Sequence, residues 1–263
     1  MGTSTSNPGQ KGRTPLVPSW LDDGNLEPLP GEPNRFTAPR SNFTRHLNDH
    51  RAGNGGRSGY LHRATSHYVR NSLGGSKNAT LRLGAARSST VRMFSVFNSI
   101  IANGISETQK QFNLGDILGK NASEALIMVS KFVCPDGGST DEGIARDSYF
   151  EAIISMPELE SKNIEELSPA EFLAFTEHYM SKVIEVRLLN DIGNKCFSLP
   201  DSVAQVDEIQ RQLTAFIRGS ISDAVARLNV NIAQISSAQA QEMVDSIYEL
   251  SYDILASLGD GNL

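Results

Sequence analysis

The sequence predicts an all-α protein: a helical bundle preceded by a long Pro/Gly/Arg-rich N-terminal head that is largely disordered or extended. Three observations predict it. From Ala85 to Leu258, apolar residues recur at the i, i+3, i+4, i+7 spacing of helices with one buried face. No stretch shows sustained alternation of apolar and polar residues with β-branched enrichment. The four prolines beyond the head, Pro135, Pro157, Pro169 and Pro200, each fall where one periodic run stops and another begins. The chain of 263 residues is long enough for one large or two modest domains. Composition divides it into a basic head over residues 1–84, with a short helix over 60–71, and a helical domain over 85–263.

Seven of the eleven prolines lie in the first forty residues, with glycines close among them, so residues 1 to about 59 read as extended or disordered. One stretch interrupts that polarity. Pro15-Leu16-Val17-Pro18-Ser19-Trp20-Leu21 contains the sole tryptophan of the chain, and Trp20 reads either as a docking anchor for a partner or as a tack onto the protein's own body. Up to Arg92 there are 13 basic and 5 acidic residues, a net of +8, against -6 for the whole chain. Such a head folds back on an acidic body, binds an acidic partner or binds nucleic acid. Four of the five histidines fall between His46 and His67. His46 and His50 have the spacing of a helical metal pair, but no carboxylate or cysteine completes a site, and solvated histidines are expected.

The helices follow in order. Val91, Phe94, Val96, Phe97, Ile100 and Ile101 give a first long helix, stopped near Asn103-Gly104. Asn113 opens a turn through Leu118. Asn121, with Glu124 three residues on, starts a helix that Cys134-Pro135 ends. Ser139 with Glu142 has capping-box form, and Asp141 and Glu142 place negative charge at the positive end of the helix dipole. Ser168-Pro169-Ala170-Glu171 combines an N-cap serine, proline at the first helical position and glutamate at the third. A long helix from Val203 to Leu228 and a last one from Ser236 or Ser237 complete the set.

The candidate chemistry is sparse. Asp136, Asp141, Glu142, Asp147 and Glu151 beside Arg146 suggest a magnesium or acid/base site, yet Glu142 and Arg146 are an ordinary i, i+4 pair. A second cluster, Glu185, Arg187, Asn190 and Asp191, interrupts an apolar helix end. The reading adopted is a structural polar network of Asp141, Arg146, Asp147, Arg187 and Asp191, in which Arg146 or Asp147 pairs with Asp191 or Arg187 across two helices. No nucleophile-base pair, phosphate loop or dinucleotide fingerprint stands beside it, so no catalytic residue, metal ligand or cofactor is assigned. Cys134 and Cys196 lack a CxxC or Cys/His pattern and read as free thiols of a reducing cytoplasm. No run approaches the ~20 apolar residues of a membrane span, and Met1 to Gln10 lacks the character of a secretory signal. With Met1 removed, Gly2 would offer an unhindered α-amine, and Gly2 with Ser6 also fits the loose N-myristoylation pattern.

Met1-Gly2-Thr3-Ser4-Thr5-Ser6 with Pro15-Leu16-Val17-Pro18-Ser19-Trp20; Cys134-Pro135-Asp136-Gly137-Gly138 through Asp141-Glu142 to Ala145-Arg146-Asp147; and Leu188-Leu189-Asn190-Asp191-Ile192-Gly193 are three separated blocks. Together they resemble the QatB family of the bacterial Qat anti-phage defence system. The resemblance implies a cytoplasmic, non-enzymatic defence component encoded with an ATPase (QatA), a QueC-like enzyme (QatC) and a TatD-like nuclease (QatD). QueC turns a deazaguanine carboxylate into a nitrile through an adenylated intermediate, and a QueC-like partner is expected to pass the activated base to a protein amine. On that expectation Gly2 is the modified residue, Thr3, Ser4, Thr5 and Ser6 are the recognised tether, and Trp20 is the docking anchor. The alternative is a nucleic-acid-binding adaptor acting through the basic head.

Overall fold

The computed structural model describes residues 34–55, 58–135, 137–193, 200 and 202–258. Among them no strand forms. The helices are α1 (Thr37–Arg51), α2 (Ser58–His67), α3 (Ser76–Leu81), α4 (Gly84–Asn103), α5 (Ile105–Phe112), α6 (Ala122–Val133), α7 (Thr140–Ile154), α8 (Pro169–Gly193), α9 (Val203–Arg227) and α10 (Ser237–Ser257). A π-helical turn, Tyr68–Ser72, extends α2, and short 3-10 turns occupy Pro157–Glu160, Ile164–Glu166 and Ile232–Gln234. The all-α expectation therefore holds. Gly2, Thr3, Ser4, Thr5, Ser6, Trp20, Asp136 and Cys196 lie outside the described residues.

The packing groups the chain into two compact units, each discontinuous in sequence. The first contains the described residues up to Arg82, Arg187–Ala215 and those from Ser251 on. The second contains Leu83–Val186 and Phe216–Leu250.

In the second unit, α4 packs against α5, α6 and α7. Its aromatic centre stacks Phe97 on Phe172 with ring centroids 4.6 Å apart, and sets Phe175 edge-on to Tyr149 at 5.5 Å. Each such fully buried side chain contributes roughly 1.5–3 kcal/mol by leaving water. The helix starts are those that local capping dictates. The Asn121 side chain accepts the Glu124 N–H, Ser139 and Glu142 form a reciprocal capping box, and Ser168 and Glu171 repeat that exchange around Pro169.

In the first unit, α1 packs on α2. Helix α1 corrects the expectation of an extended chain to residue 59. Pro39 sits in its first turn, where a missing N–H costs no intrahelical bond. Phe36, Phe43, His46, Leu47 and His50 supply a buried face at helical spacing. The histidines are corrected with it. His46 and His50 are buried, not solvated, with their rings edge to face at 4.9 Å. His50 Nε2 lies 3.2 Å from Gln212 Oε1, and its backbone carbonyl accepts from Gln205 at 2.7 Å. The helix expected over 60–71 forms as α2 with its π turn, ending at Gly74 and Gly75, whose φ angles of 78° and 100° suit glycine. The short helices α3 and α5 were not expected.

Candidate functional site

The polar residues singled out in the sequence separate into two sets, one in each unit. In the second unit the set sits where α6 ends and α7 begins. Asp141, in the first turn of α7, reaches α4: its carboxylate accepts the Ala85 N–H at 2.8 Å and so satisfies one of that helix's orphan donors. Arg146 donates to the Cys134 carbonyl at 2.9 Å, and Arg92 donates to the neighbouring Val133 carbonyl at 3.2 Å. Two guanidinium groups thus meet the negative end of α6, the favourable position for cations on a helix. The Arg146 guanidinium also lies 5.4 Å from the centroid of the Phe150 ring. Asp147 is exposed on α7.

The thiol of Cys134 lies beneath these charges. It is buried, its sulfur is 3.8 Å from the Ala145 carbonyl oxygen, and burial raises its pKa above the ordinary thiol range. The nearby Ser89 and Tyr179 hydroxyls and the charges of Arg92 and Arg146 oppose that rise only in part. A protonated, enclosed thiol is a poor nucleophile. Glu185, from the second sequence cluster, is also buried in this unit and lies 3.6 Å from Lys182 on its own helix.

In the first unit Asp191 is the centre. Arg187, one turn earlier on α8, places Nε 3.4 Å from its carboxylate. Tyr68, from the π turn, donates its hydroxyl to the same oxygen at 2.7 Å. Arg40 of α1 donates to the Asp191 backbone carbonyl at 3.2 Å. Burial, followed by the negative charge of Asp191, holds the Tyr68 phenol well above its usual pKa, so it stays a donor. Phe36 lies near two cations: the guanidinium groups of Arg35 and Arg40 are 5.1 and 5.4 Å from its ring centroid. Burial, then the proximity of Arg82, lowers the pKa of Arg35.

The structure therefore brings Arg187 and Asp191 together, with Tyr68 and Arg40 as partners that sequence reasoning missed. It holds Asp141 and Arg146 in helix-end contacts within the other unit. Tyr68 and Arg40 gave no local signal, because they are 123 and 151 residues from Asp191 along the chain. Among the described residues no group of three or more His, Cys, Asp or Glu side chains is placed to hold a metal ion. Nor is any helix among them long and apolar enough to cross a membrane.

The family model described as Qat anti-phage system associated protein QatB matches residues 74–255. No curated protein and no solved structure matches the chain.

Proposed function

This chain belongs to the QatB family and is a component of the Qat anti-phage system, and on that premise we propose that it acts there without catalysis of its own, as a partner and N-terminal-glycine substrate of the QueC-like enzyme. The observation that carries the non-catalytic part is the commitment of its charged clusters. Asp141 and Arg146 are spent on helix ends, and Asp191 on Arg187 and Tyr68. A body of this kind suits a protein that other proteins act upon. The sequence Gly2-Thr3-Ser4-Thr5-Ser6, small and unbranched at its acceptor end, suits entry into an enzyme's active site. Trp20 is the anchor that keeps it there.

In the proposed step the QueC-like enzyme activates a deazaguanine carboxylate as its acyl adenylate. The neutral Gly2 amine attacks the acyl carbon, a C–N bond forms, the bond to the AMP oxygen breaks, and the amine gives up a proton to a base. ATP supplies the adenylate, so no oxidant or reductant is required. ATPase QatA and nuclease QatD are the further partners in this reading.

Intact-mass and N-terminal peptide analysis of the protein co-expressed with the QueC-like enzyme tests it. The expected result is an added mass equal to the acid less one water, located on the Gly2 peptide. An unmodified N-terminal peptide, or full phage defence by a chain whose Gly2 is blocked or replaced, overturns it.

A second reading has one observation in its favour: Arg45, Arg51, Arg70 and Lys77 are exposed on the first unit. As a nucleic-acid adaptor the protein would bind DNA or RNA with an affinity that falls steeply with salt. Charge reversals Arg45→Glu and Lys77→Glu would then flatten that slope. Equal binding by the doubly reversed chain rejects the adaptor.

A further inference from the structure

The dipeptide Asn-Gly occurs at two places in the chain, Asn54-Gly55 and Asn103-Gly104. In this pairing an asparagine amide is most open to attack by its own backbone, because glycine has no Cβ to shield its nitrogen or to limit the local bend that ring closure requires. Both asparagines are exposed, so solvent reaches both side chains. What differs is how the fold holds the nitrogen of the glycine that follows.

At Asn103 that nitrogen is held. Asn103 is the last residue of α4, and the Gly104 N–H donates to the Ile100 carbonyl at 3.0 Å. The Asn103 amide is tied back as well, with Nδ2 3.4 Å from Ser99 Oγ. Ring closure there has to break the last bond of a long helix. At Asn54 the helix end is completed one residue earlier. Helix α1 closes in a Schellman arrangement, in which the Gly53 N–H donates to the His50 carbonyl and the Asn54 N–H to the Asp49 carbonyl, both at 3.0 Å, with Gly53 at a φ of 77°. The Gly55 N–H is left out of it and makes no hydrogen bond to another described residue. Gly55 is gripped only by its carbonyl, which accepts from Gln212 Nε2 at 3.2 Å.

We propose that Asn54 is a site of spontaneous deamidation, a modification that needs no enzyme and takes only water as co-reactant. The Gly55 nitrogen gives its proton to hydroxide and attacks Asn54 Cγ. A C–N bond forms, the bond to the side-chain nitrogen breaks, and ammonia leaves with a proton taken from water. Water then opens the succinimide ring at either carbonyl, giving aspartate or isoaspartate. The sum is amide plus water to acid plus ammonia, with no change of oxidation state.

The product changes the first unit in two ways. A carboxylate at residue 54 adds negative charge beside the C-terminal end of α1, where the helix dipole is already negative. Opening to isoaspartate also routes the main chain through Cβ and Cγ, which inserts an extra carbon between residues 54 and 55. The Gly55 carbonyl then moves relative to Gln212 of α9, whose Oε1 lies 3.2 Å from His50 Nε2. Deamidation thus loosens α1 from α9 at the contact that Gln212 bridges. This inference is independent of the Gly2 reading and survives its failure.

The experiment incubates the full chain in mildly alkaline buffer made with oxygen-18 water and follows the Asn54 and Asn103 peptides by mass spectrometry. The same incubation in concentrated urea gives the rate of each site without the fold, and there the two should be similar. In the folded chain Asn54 should convert with uptake of one heavy oxygen, and Asn103 should convert roughly tenfold more slowly, the factor that one backbone hydrogen bond of ordinary strength imposes. Equal protection of the two sites by the fold, or an Asn54 that stays unconverted while the unfolded chain reacts, overturns the proposal.

The consequence is read on chain aged until Asn54 has reacted. An Asn54→Gln chain, whose longer side chain closes a larger ring far more slowly, is aged in parallel so that changes at other sites are subtracted. The aged protein should unfold at a lower urea concentration than fresh protein, and lower than Asn54→Asp, which carries the charge without the extra backbone carbon. Equal midpoints for aged and fresh protein overturn the loosening of α1. Equal midpoints for aged protein and Asn54→Asp overturn the part given to the extra carbon.

Discussion

At the scale of single residues, the chain shows the same acidic side-chain chemistry put to different uses by its surroundings. Asp191 is paired where it is three-quarters or more shielded from water, with 17 % of its side chain exposed. Removing it takes this carboxylate from the Arg187 charge and the buried Tyr68 hydroxyl, so Asp191→Ala should cost about 3 kcal/mol in a urea unfolding titration. Tyr68→Phe leaves the Arg187 pair standing and should cost only about 1 kcal/mol. Equal losses would mean that the ion pair adds nothing beyond the phenol hydrogen bond. Glu171 lies at the surface. The Lys162 ammonium at 2.5 Å, then the backbone N–H and hydroxyl of Ser168, lower its pKa to about 2. A carboxylate depressed in the folded state lends stability that is present above its ordinary pKa and disappears as pH falls from there toward 2. Carboxyl NMR titration of Glu171 should therefore give a midpoint near 2, and Lys162→Ala should move it up toward the ordinary range.

At the scale of elements, the start of α7 depends on one glycine as much as on its cap. A Cβ built on Gly137 would meet the Glu142 carboxyl group at 2.2 Å, so Gly137→Ala must push that side chain out of the capping box. Losing the box should cost about 1 kcal/mol, as Ser139→Ala should. Once Glu142 has been cut back to alanine, Gly137→Ala should cost almost nothing, and a double-mutant cycle followed by thermal unfolding measures that coupling. Starts of this kind were legible in the sequence because every participant lies within four residues of the others. Asn121, Ser139 and Ser168 could each be found by inspection. Helix α1 could not, since the groups that hold it, Gln205 and Gln212 on His50 and Asp191 on Arg40, are more than 150 residues away. Its prolines and glycines nearby therefore outweighed its apolar face. The candidate site followed the same rule. Arg187 and Asp191 stand at i, i+4 spacing on one helix, yet the sequence reading paired them with Arg146 or Asp147 of another helix, and Tyr68 acquires meaning only from neighbours that the fold supplies.

At the scale of the whole molecule, the first unit is assembled from three pieces of chain. Composition suggests that the basic head can be cut away from a self-sufficient helical domain; the contacts of α1 and α2 predict otherwise. A chain beginning at residue 85 loses the partners of Asp191, Gln205 and Ala256, and should expose apolar surface that binds an environment-sensitive dye and lowers solubility. Retention of a sharp, dye-free thermal transition by that fragment would show that those contacts are dispensable. The hydrogen bond from Ser66 to the Ala256 carbonyl spans 190 residues, and it sets a clock on synthesis. At the usual ~5–20 residues added per second, about ten to forty seconds separate the emergence of its two ends from the ribosome. During that interval the N-terminal segment is already outside while the unit that will receive α1 and α2 does not yet exist. An enzyme acting on the nascent chain would meet Gly2 before the first unit closes. Under the proposed conjugation, the order of translation would then set when the Gly2 amine is first offered.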